Sequence, residues 1–253
     1  MKTKKKLIVG NWKMNIGILP EAKKLVSGVK RKTAKVRKVD VVFCPPNIYL
    51  QGVAGMMGGK WKLGMQNIHA EEAGSYTGEV SLKQIKQFDV SYIIIGHSER
   101  RKEGETDKDV NKKTLSILRA NLFPIVCVGE DVHDEDGKYL DVVKKQLASA
   151  LADVEKAKIS DVVIAYEPVW AIGAKEAMTP RDAHAMCLYI KRCLREMFGT
   201  YADTTQILYG GSVNAQNAKD IVEQSSMDGL LVGRDSLSAD SFSEIIKSVD
   251  TIK

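Results

Sequence analysis

Cysteine, histidine, proline and aromatic residues are all scarce in this 253-residue chain: four Cys, four His, six Pro, and 6% Phe, Trp and Tyr together. Cys44, Cys127, Cys187 and Cys193 form no CxxC pair, and the histidines stand singly at His69, His97, His133 and His184. No zinc-ligand spacing emerges and no disulfide framework is expected; the thiols are expected to stay reduced in a cytoplasmic protein. Long apolar runs are missing as well, none approaching the roughly 20 residues that a membrane-crossing helix needs. The basic start MKTKKK is followed only by Leu7, Ile8 and Val9 before Gly10, too little for the apolar stretch of about 7–15 residues in an export signal. Nor does one charge dominate: 38 Lys and Arg face 32 Asp and Glu, a formal net charge of +6. The densest basic run, KRKTAKVRK at 30–38, contains no aromatic residue. It reads as solvated surface and not as a platform on which nucleic-acid bases would stack.

What is present is a soluble, core-forming composition, 44% hydrophobic and 28% charged. Eight short runs rich in Val, Ile and Leu recur along the chain: LIVG at 7–10, VVFC at 41–44, KLGM at 62–65, YIIIG at 92–96, PIVCVG at 124–129, VVIAY at 162–166, QILYGG at 206–211 and GLLVG at 229–233. They are continuous apolar runs without polar alternation, the pattern of strands buried on both faces. Amphipathic stretches separate them, at 20–30, weakly at 48–57, and at 81–88, 106–120, 138–156, 180–198, 215–224 and 239–249. Thr179 before Pro180 and Thr106 before Asp107 supply helix-start chemistry. Eight strand–helix units in about 250 residues, with no linker between halves, predict a single (β/α)8 barrel domain over residues 1–253. An open doubly wound sheet is the rival, but NWKMN stands where its GxGxxG turn belongs.

In such a barrel, chemistry gathers at the C-terminal ends of the strands. Asn11 and Lys13 follow the first run, His97, Ser98 and Glu99 the fourth, Glu167 the sixth, Gly210, Gly211 and Ser212 the seventh, and Gly233 and Arg234 the eighth. Taken singly, Lys13 reads equally as a surface amine, His97 as a core histidine and Glu167 as a structural ion-pair partner. Together they supply a cation, an imidazole and a carboxylate, the parts needed to move a proton next to a carbonyl and to stabilise the charge that forms on oxygen. YGGS at 209–212 and the Gly233 turn follow the two strands where barrels commonly hold phosphate by backbone N–H groups. The apolar segment PVWAIGAKEAM at 168–178, next to Glu167, reads as a lid that excludes water, or else as a static, packed loop.

These residues carry a resemblance to the triosephosphate isomerase family along essentially the whole chain: NWKMN at 11–15, CPP at 44–46, QN at 66–67, YTGE at 76–79, GHSERR at 96–101, CVGE at 127–130, AYEPVWAIG at 165–173 and YGGSV at 209–213. The resemblance implies interconversion of dihydroxyacetone phosphate and D-glyceraldehyde 3-phosphate, with a place in glycolysis and gluconeogenesis. Glu167 would be the base, neutral His97 the electrophile, Lys13 the positive charge for enediolate and phosphate, and Asn11 a further donor. Glu99 matches a buried family carboxylate near the lysine. Gly173, Ser212, Gly233 and the N–H of Arg234 match the phosphate clamp. No cofactor or metal is implied, and the loop of Thr77 implies a homodimer.

The chain departs from the family pattern in three places. Its lid reads AIGAKE where AIGTGK is usual, Arg234 replaces the second glycine of a Gly-Gly pair, and RRKEGETD is one residue short and lacks an aromatic. The altered lid and Arg234 make an isomerase of a four-carbon ketose phosphate, such as erythrulose phosphate, the enzymatic alternative. A barrel that only binds a partner is the non-enzymatic one.

Overall fold

The computed structural model describes residues 4–172 and 178–252. The eight apolar runs all form strands: β1 Lys6–Asn11, β2 Val39–Cys44, β3 Trp61–Met65, β4 Val90–Ile95, β5 Phe123–Val128, β6 Val163–Tyr166, β7 Gln206–Tyr209 and β8 Gly229–Val232. Each pairs in parallel with the next, and β8 pairs back onto β1 from Leu7↔Gly229 to Gly10↔Val232, closing the barrel. Closure leaves no unpaired sheet edge, and it excludes the doubly wound alternative.

Alternate residues of each strand enter different cores, which is why the runs lack polar alternation. Leu7, Val9, Val42, Ile94, Ile125 and Leu208 belong to one buried cluster. Ile8, Phe43, Ile95, Val126, Ile164 and Ile207 belong to a larger one shared with the surrounding helices.

Those helices are α1 Leu19–Lys32, α2 Leu50–Ala54, α3 Leu82–Ile85, α4 Ser98–Lys102, α5 Asp107–Arg119, α6 Lys138–Ala150, α7 Pro180–Phe198, α8 Ala218–Ser225 and α9 Ala239–Asp250. The expected starts hold. The Thr106 hydroxyl accepts from Asp109 N at 3.2 Å and the Thr179 hydroxyl from Asp182 N at 3.2 Å, each satisfying an orphan donor of a first turn. The weak stretch at 48–57 becomes a 3₁₀ turn, Asn47–Tyr49, running into α2, and α6 stops at Ala150 short of the expected 156. Short α4 was not anticipated, because the spacing of SERRK shows no apolar stripe.

The basic run at 30–38 closes α1 and leads into β2, consistent with its reading as surface. Lysines at this end of the barrel meet backbone carbonyls near helix C-termini. Lys6 Nζ donates to Met227 O at 2.7 Å, Lys38 Nζ to Ile252 O at 2.8 Å, and Lys60 Nζ to Thr33 O at 2.7 Å. Cations there complement the negative end of each helix dipole. All four cysteines are free and buried, and burial pushes the Cys44 and Cys127 thiols far above their ordinary range. Among the described residues no helix is long and apolar enough to cross a membrane.

Phe242 of α9 locks the helical layer onto the closure seam. It packs edge-on to Phe43 of β2, with ring centroids 6.1 Å apart, and its Cζ lies 3.0 Å from where a Cβ on Gly10 would stand. Phe242→Ala is expected to cost about 3–5 kcal/mol through lost burial and a residual cavity. Chemical denaturation should show this as a lower midpoint at unchanged slope.

Candidate functional site

Asn11, the last residue of β1, is buried at the barrel mouth, and its Oδ1 accepts from Lys13 N at 3.1 Å. Lys13 itself adopts φ +52°, a left-handed conformation that strains a residue with a side chain. Gln66, just past β3, holds it there: its amide nitrogen donates to Lys13 O and to Cys44 O, both at 2.9 Å. The turn thereby aims the ammonium back over the mouth, where Nζ meets Glu99 Oε1 at 2.7 Å.

His97 is delivered by Gly96, which takes φ +67° as β4 ends. That turn is clamped from below. Gly96 N donates to Glu105 Oε2 at 3.0 Å, Gly96 O accepts from Arg101 Nε at 2.7 Å, and Arg101 is paired with Asp107 at 2.6 Å. Lys113, itself bonded to Glu105, donates to Asn67 Oδ1 at 2.8 Å and ties the clamp to β3. Ion pairs thus hold the RRKEGETD segment at 100–107. His97 then caps α4, its Nδ1 accepting from Glu99 N at 3.2 Å. A lone pair used at Nδ1 describes a neutral imidazole whose proton sits on Nε2. That Nε2 lies 3.2 Å from Glu167 Oε1.

Glu167 follows β6 and is only 2% exposed. Its backbone N–H donates to Val128 O at 2.8 Å, and its second carboxylate oxygen accepts from Ser98 N at 3.3 Å. Two glycines make room for it. A Cβ on Gly129 would overlap the Glu167 carbonyl, and one on Gly210 would stand 2.7 Å from Glu167 Cγ.

Asn11, Lys13, His97, Glu167, Ser212 and Gly233 line one cavity of about 310 Å³, with Arg234 at its margin. Ser212 is fixed through its carbonyl, which accepts from Asn217 Nδ2 at 3.1 Å. The Asn217 N–H is bonded to Asn214 Oδ1 at 3.0 Å. Gly211 has no space for a side chain beside the Tyr209 hydroxyl. The expected contribution of Gly173, and the altered positions Ala174, Lys175 and Glu176, lie outside the described residues. Of the 168–178 segment, the described residues are Pro168, a 3₁₀ turn at Val169–Ala171, the cavity-lining Ile172, and Met178, whose N–H donates to the Tyr209 hydroxyl at 3.2 Å.

Glu99 needs a correction. It does contact the lysine, but it is exposed rather than buried, with 57% of its side chain accessible. It sits in the first turn of short α4 on the rim, and its side chain reaches outward along the mouth to Lys13. Partial burial alone would raise its carboxyl pKa, but the Lys13 hydrogen bond and charge, aided by the charge of Lys102, hold it below the usual carboxylate range. The supporting roles of Gln66, Arg101, Glu105 and Lys113 were not foreseen. A polar residue directly after an apolar strand, as Gln66 is, was the one available signal.

The mouth therefore offers an ammonium, a neutral N–H donor and a buried carboxylate around one small cavity. That set can take a proton from carbon and stabilise charge on a neighbouring oxygen. Replacing Lys13 by Met removes the donor and the charge that keep Glu99 ionised, so the Glu99 carboxyl is expected to titrate at higher pH. Carbon-detected NMR of that carboxyl reads the shift directly. Because the folded carboxyl is depressed, any stability the pair adds is present above the unfolded value and is lost as pH falls through the folded one. The exposure of Glu99 keeps that contribution small.

A family model described as Triosephosphate isomerase matches residues 6–249. A triosephosphate isomerase of Natranaerobius thermophilus is 41% identical over 243 residues, covering 95% of this chain and 94% of that protein. One from Alkaliphilus oremlandii is 42% identical over 246 residues, covering 96% and 99%, and one from Rhodopirellula baltica is 42% identical over 246 residues, covering 96% of each. With the barrel, the strand-end residues and these matches along nearly its full length, the chain belongs to the triosephosphate isomerase family.

Proposed function

We propose that this chain interconverts dihydroxyacetone phosphate and D-glyceraldehyde 3-phosphate through an enediolate, as one barrel domain that needs no cofactor or metal. The observation that carries this reading is the convergence of Lys13, His97 and Glu167 on one cavity, with His97 Nε2 and Glu167 Oε1 3.2 Å apart. The names of the relatives support the three-carbon substrate, and nothing favours a four-carbon ketose phosphate or a barrel that only binds a partner.

The substrate phosphate sits against the backbone at Gly211, Ser212, Gly233 and Arg234, which leaves its carbons facing Glu167. Glu167 takes a proton from the carbon next to the carbonyl, and the electron pair moves onto the carbonyl oxygen. The Nε2–H of His97 and the ammonium of Lys13 stabilise that oxygen. Returning the proton to the adjacent carbon, while His97 moves a proton between the oxygens, completes the isomerisation. Asn11 fixes the Lys13 backbone and adds a donor, and Glu99 holds the Lys13 ammonium in place. Burial of Glu167 limits its competition with water.

A second copy of this chain covers the loops beside Lys13. Met14 is 97% exposed and Ile48 82%, on the loops that follow the neighbouring strands β1 and β2; Tyr76, also exposed, and Thr77 lie on the loop after β3. Exposed apolar side chains on adjacent loops are the signature of an interaction surface. Buried free thiols and the lack of a membrane-crossing helix among the described residues support a cytoplasmic setting.

A coupled assay with each triose phosphate should show turnover in both directions. Glu167→Asp withdraws the carboxylate by about one methylene, and a displacement of that size is expected to lower kcat on the order of 100-fold. Lys13→Ala should impair both KM and kcat, and activity near wild type in either variant would remove these assignments. In light scattering the wild type should run at twice the 27.9 kDa chain mass. Met14→Arg should shift it to the monomer.

A further inference from the structure

Glu130, two residues past β5, has no part in the chemistry above, yet it is 1% exposed. Its Oε1 accepts from the Tyr166 hydroxyl at 2.9 Å and from Trp170 Nε1 at 2.8 Å, and its backbone carbonyl accepts from Val169 N at 3.0 Å. Tyr166 immediately precedes Glu167, and Trp170 follows it by three residues. One buried carboxylate therefore clasps both flanks of the catalytic base. Its other oxygen, Oε2, is buried with no hydrogen-bond partner among the described residues. A buried charge so unevenly served depends heavily on the donors it has.

The third group at Oε1 is His133, whose Nδ1 lies 3.3 Å away. Facing a carboxylate acceptor, Nδ1 carries the proton and donates. The imidazole is aimed by stacking on Tyr139 of α6, with ring centroids 3.8 Å apart, and it also lies 5.5 Å from the Trp170 ring. Tyr139 is itself fixed, its N–H donating to Asp134 Oδ2 at 2.9 Å. Tyr139, His133, Glu130 and Trp170 thus form a continuous chain from α6 to the turn that follows the base.

We propose that His133 is a positioning residue: by donating from Nδ1 it holds the Glu130 carboxylate against Tyr166 and Trp170, and so sets the backbone that carries Glu167. This rests on the reading of Glu167 as the base. Without the His133 donor, Oε1 keeps only the Tyr166 and Trp170 donors, and the carboxylate is held less firmly. Trp170 and the Val169–Ala171 turn then lose their fixed anchor.

The test uses three substitutions in the full chain. His133→Asn puts an amide nitrogen the same number of bonds from the backbone as Nδ1, His133→Gln moves it one bond further, and His133→Ala removes it. A sub-ångström loss of alignment should lower kcat about tenfold in the Ala and Gln variants with KM changed less than about twofold, while the Asn variant stays within about threefold of wild-type kcat. Acrylamide quenching of tryptophan emission should rise in the Ala and Gln variants and stay at the wild-type level in the Asn variant. Of the three tryptophans, Trp12 is fully buried, Trp61 is half-buried on β3 between Lys30 and Lys60 and common to all the variants, and Trp170 is 42% exposed, so a difference between variants reports on Trp170. Wild-type quenching in the Gln variant, or an Asn variant as impaired as the Gln variant, overturns the proposal. Quenching needs no turnover, so a wild-type protein lacking isomerase activity would remove the base assignment, and the quenching comparison would still decide whether His133 holds Trp170.

Discussion

The pairing of β8 back onto β1 is the constraint from which the site follows. Parallel strands require long crossovers, and those crossovers place every helix outside and every strand C-terminus at one end. An open sheet would spread those ends along a line. Closure gathers them into a ring, so that Lys13 and Glu99, 86 residues apart in the chain, meet at 2.7 Å. Likewise Ser98 and Glu167, separated by 69 residues, share a hydrogen bond at the base. The hydrophobic runs that drive closure carry no chemistry themselves. Their contribution is to fix where the next residue begins.

Bringing polar groups to a crowded, weakly hydrated mouth raises a cost that local structure must offset. Backbone strain at Lys13 persists because Gln66 and Asn11 over-determine the turn from two sides. The left-handed turn at Gly96 is held by Glu105 and Arg101, whose own charges are answered by Lys113 and Asp107. Gly129 and Gly210 leave the volume that Glu167 fills. The mouth is thus rigid because its supporting groups are nearly all paired, and rigidity is what lets donors stand ready before charge develops.

The barrel and the side chains gathered at its mouth were legible because both are written in short contiguous signals. Eight uninterrupted apolar runs announce strands buried on two faces, and the residue after each run is a strand end by construction. The rest depended on geometry that spacing does not encode. Glu105, Lys113 and Asn67 meet only after β3, β4 and α5 have packed together. Short α4 gave no stripe of apolar residues to betray it, so the capping role of His97 was hidden. The resemblance matches Glu99 to a buried carboxylate, yet a residue in the first turn of a rim helix reaches Lys13 across the surface. His133 looked like any isolated histidine, since its meaning comes from Tyr139 on one side and a buried carboxylate on the other.

Short α4 also binds His97 and Glu167 into one unit. Its N–H at Glu99 takes the lone pair of His97 Nδ1 and so leaves the proton on Nε2, while its N–H at Ser98 holds one oxygen of Glu167. The tautomer of His97 and the orientation of the Glu167 carboxylate are therefore set by adjacent peptide groups of a single turn. Any movement of that turn changes both at once. Independent adjustment of His97 and Glu167 is closed to this architecture, and the clamp beneath Gly96 bears on both. The same reasoning explains why GHSER is one unbroken segment while Lys13 and Glu167 stand far away in the chain. What shares one turn is His97 with the two peptide N–H groups that orient it and Glu167, whereas Lys13 and Glu167 need only arrive at the same mouth.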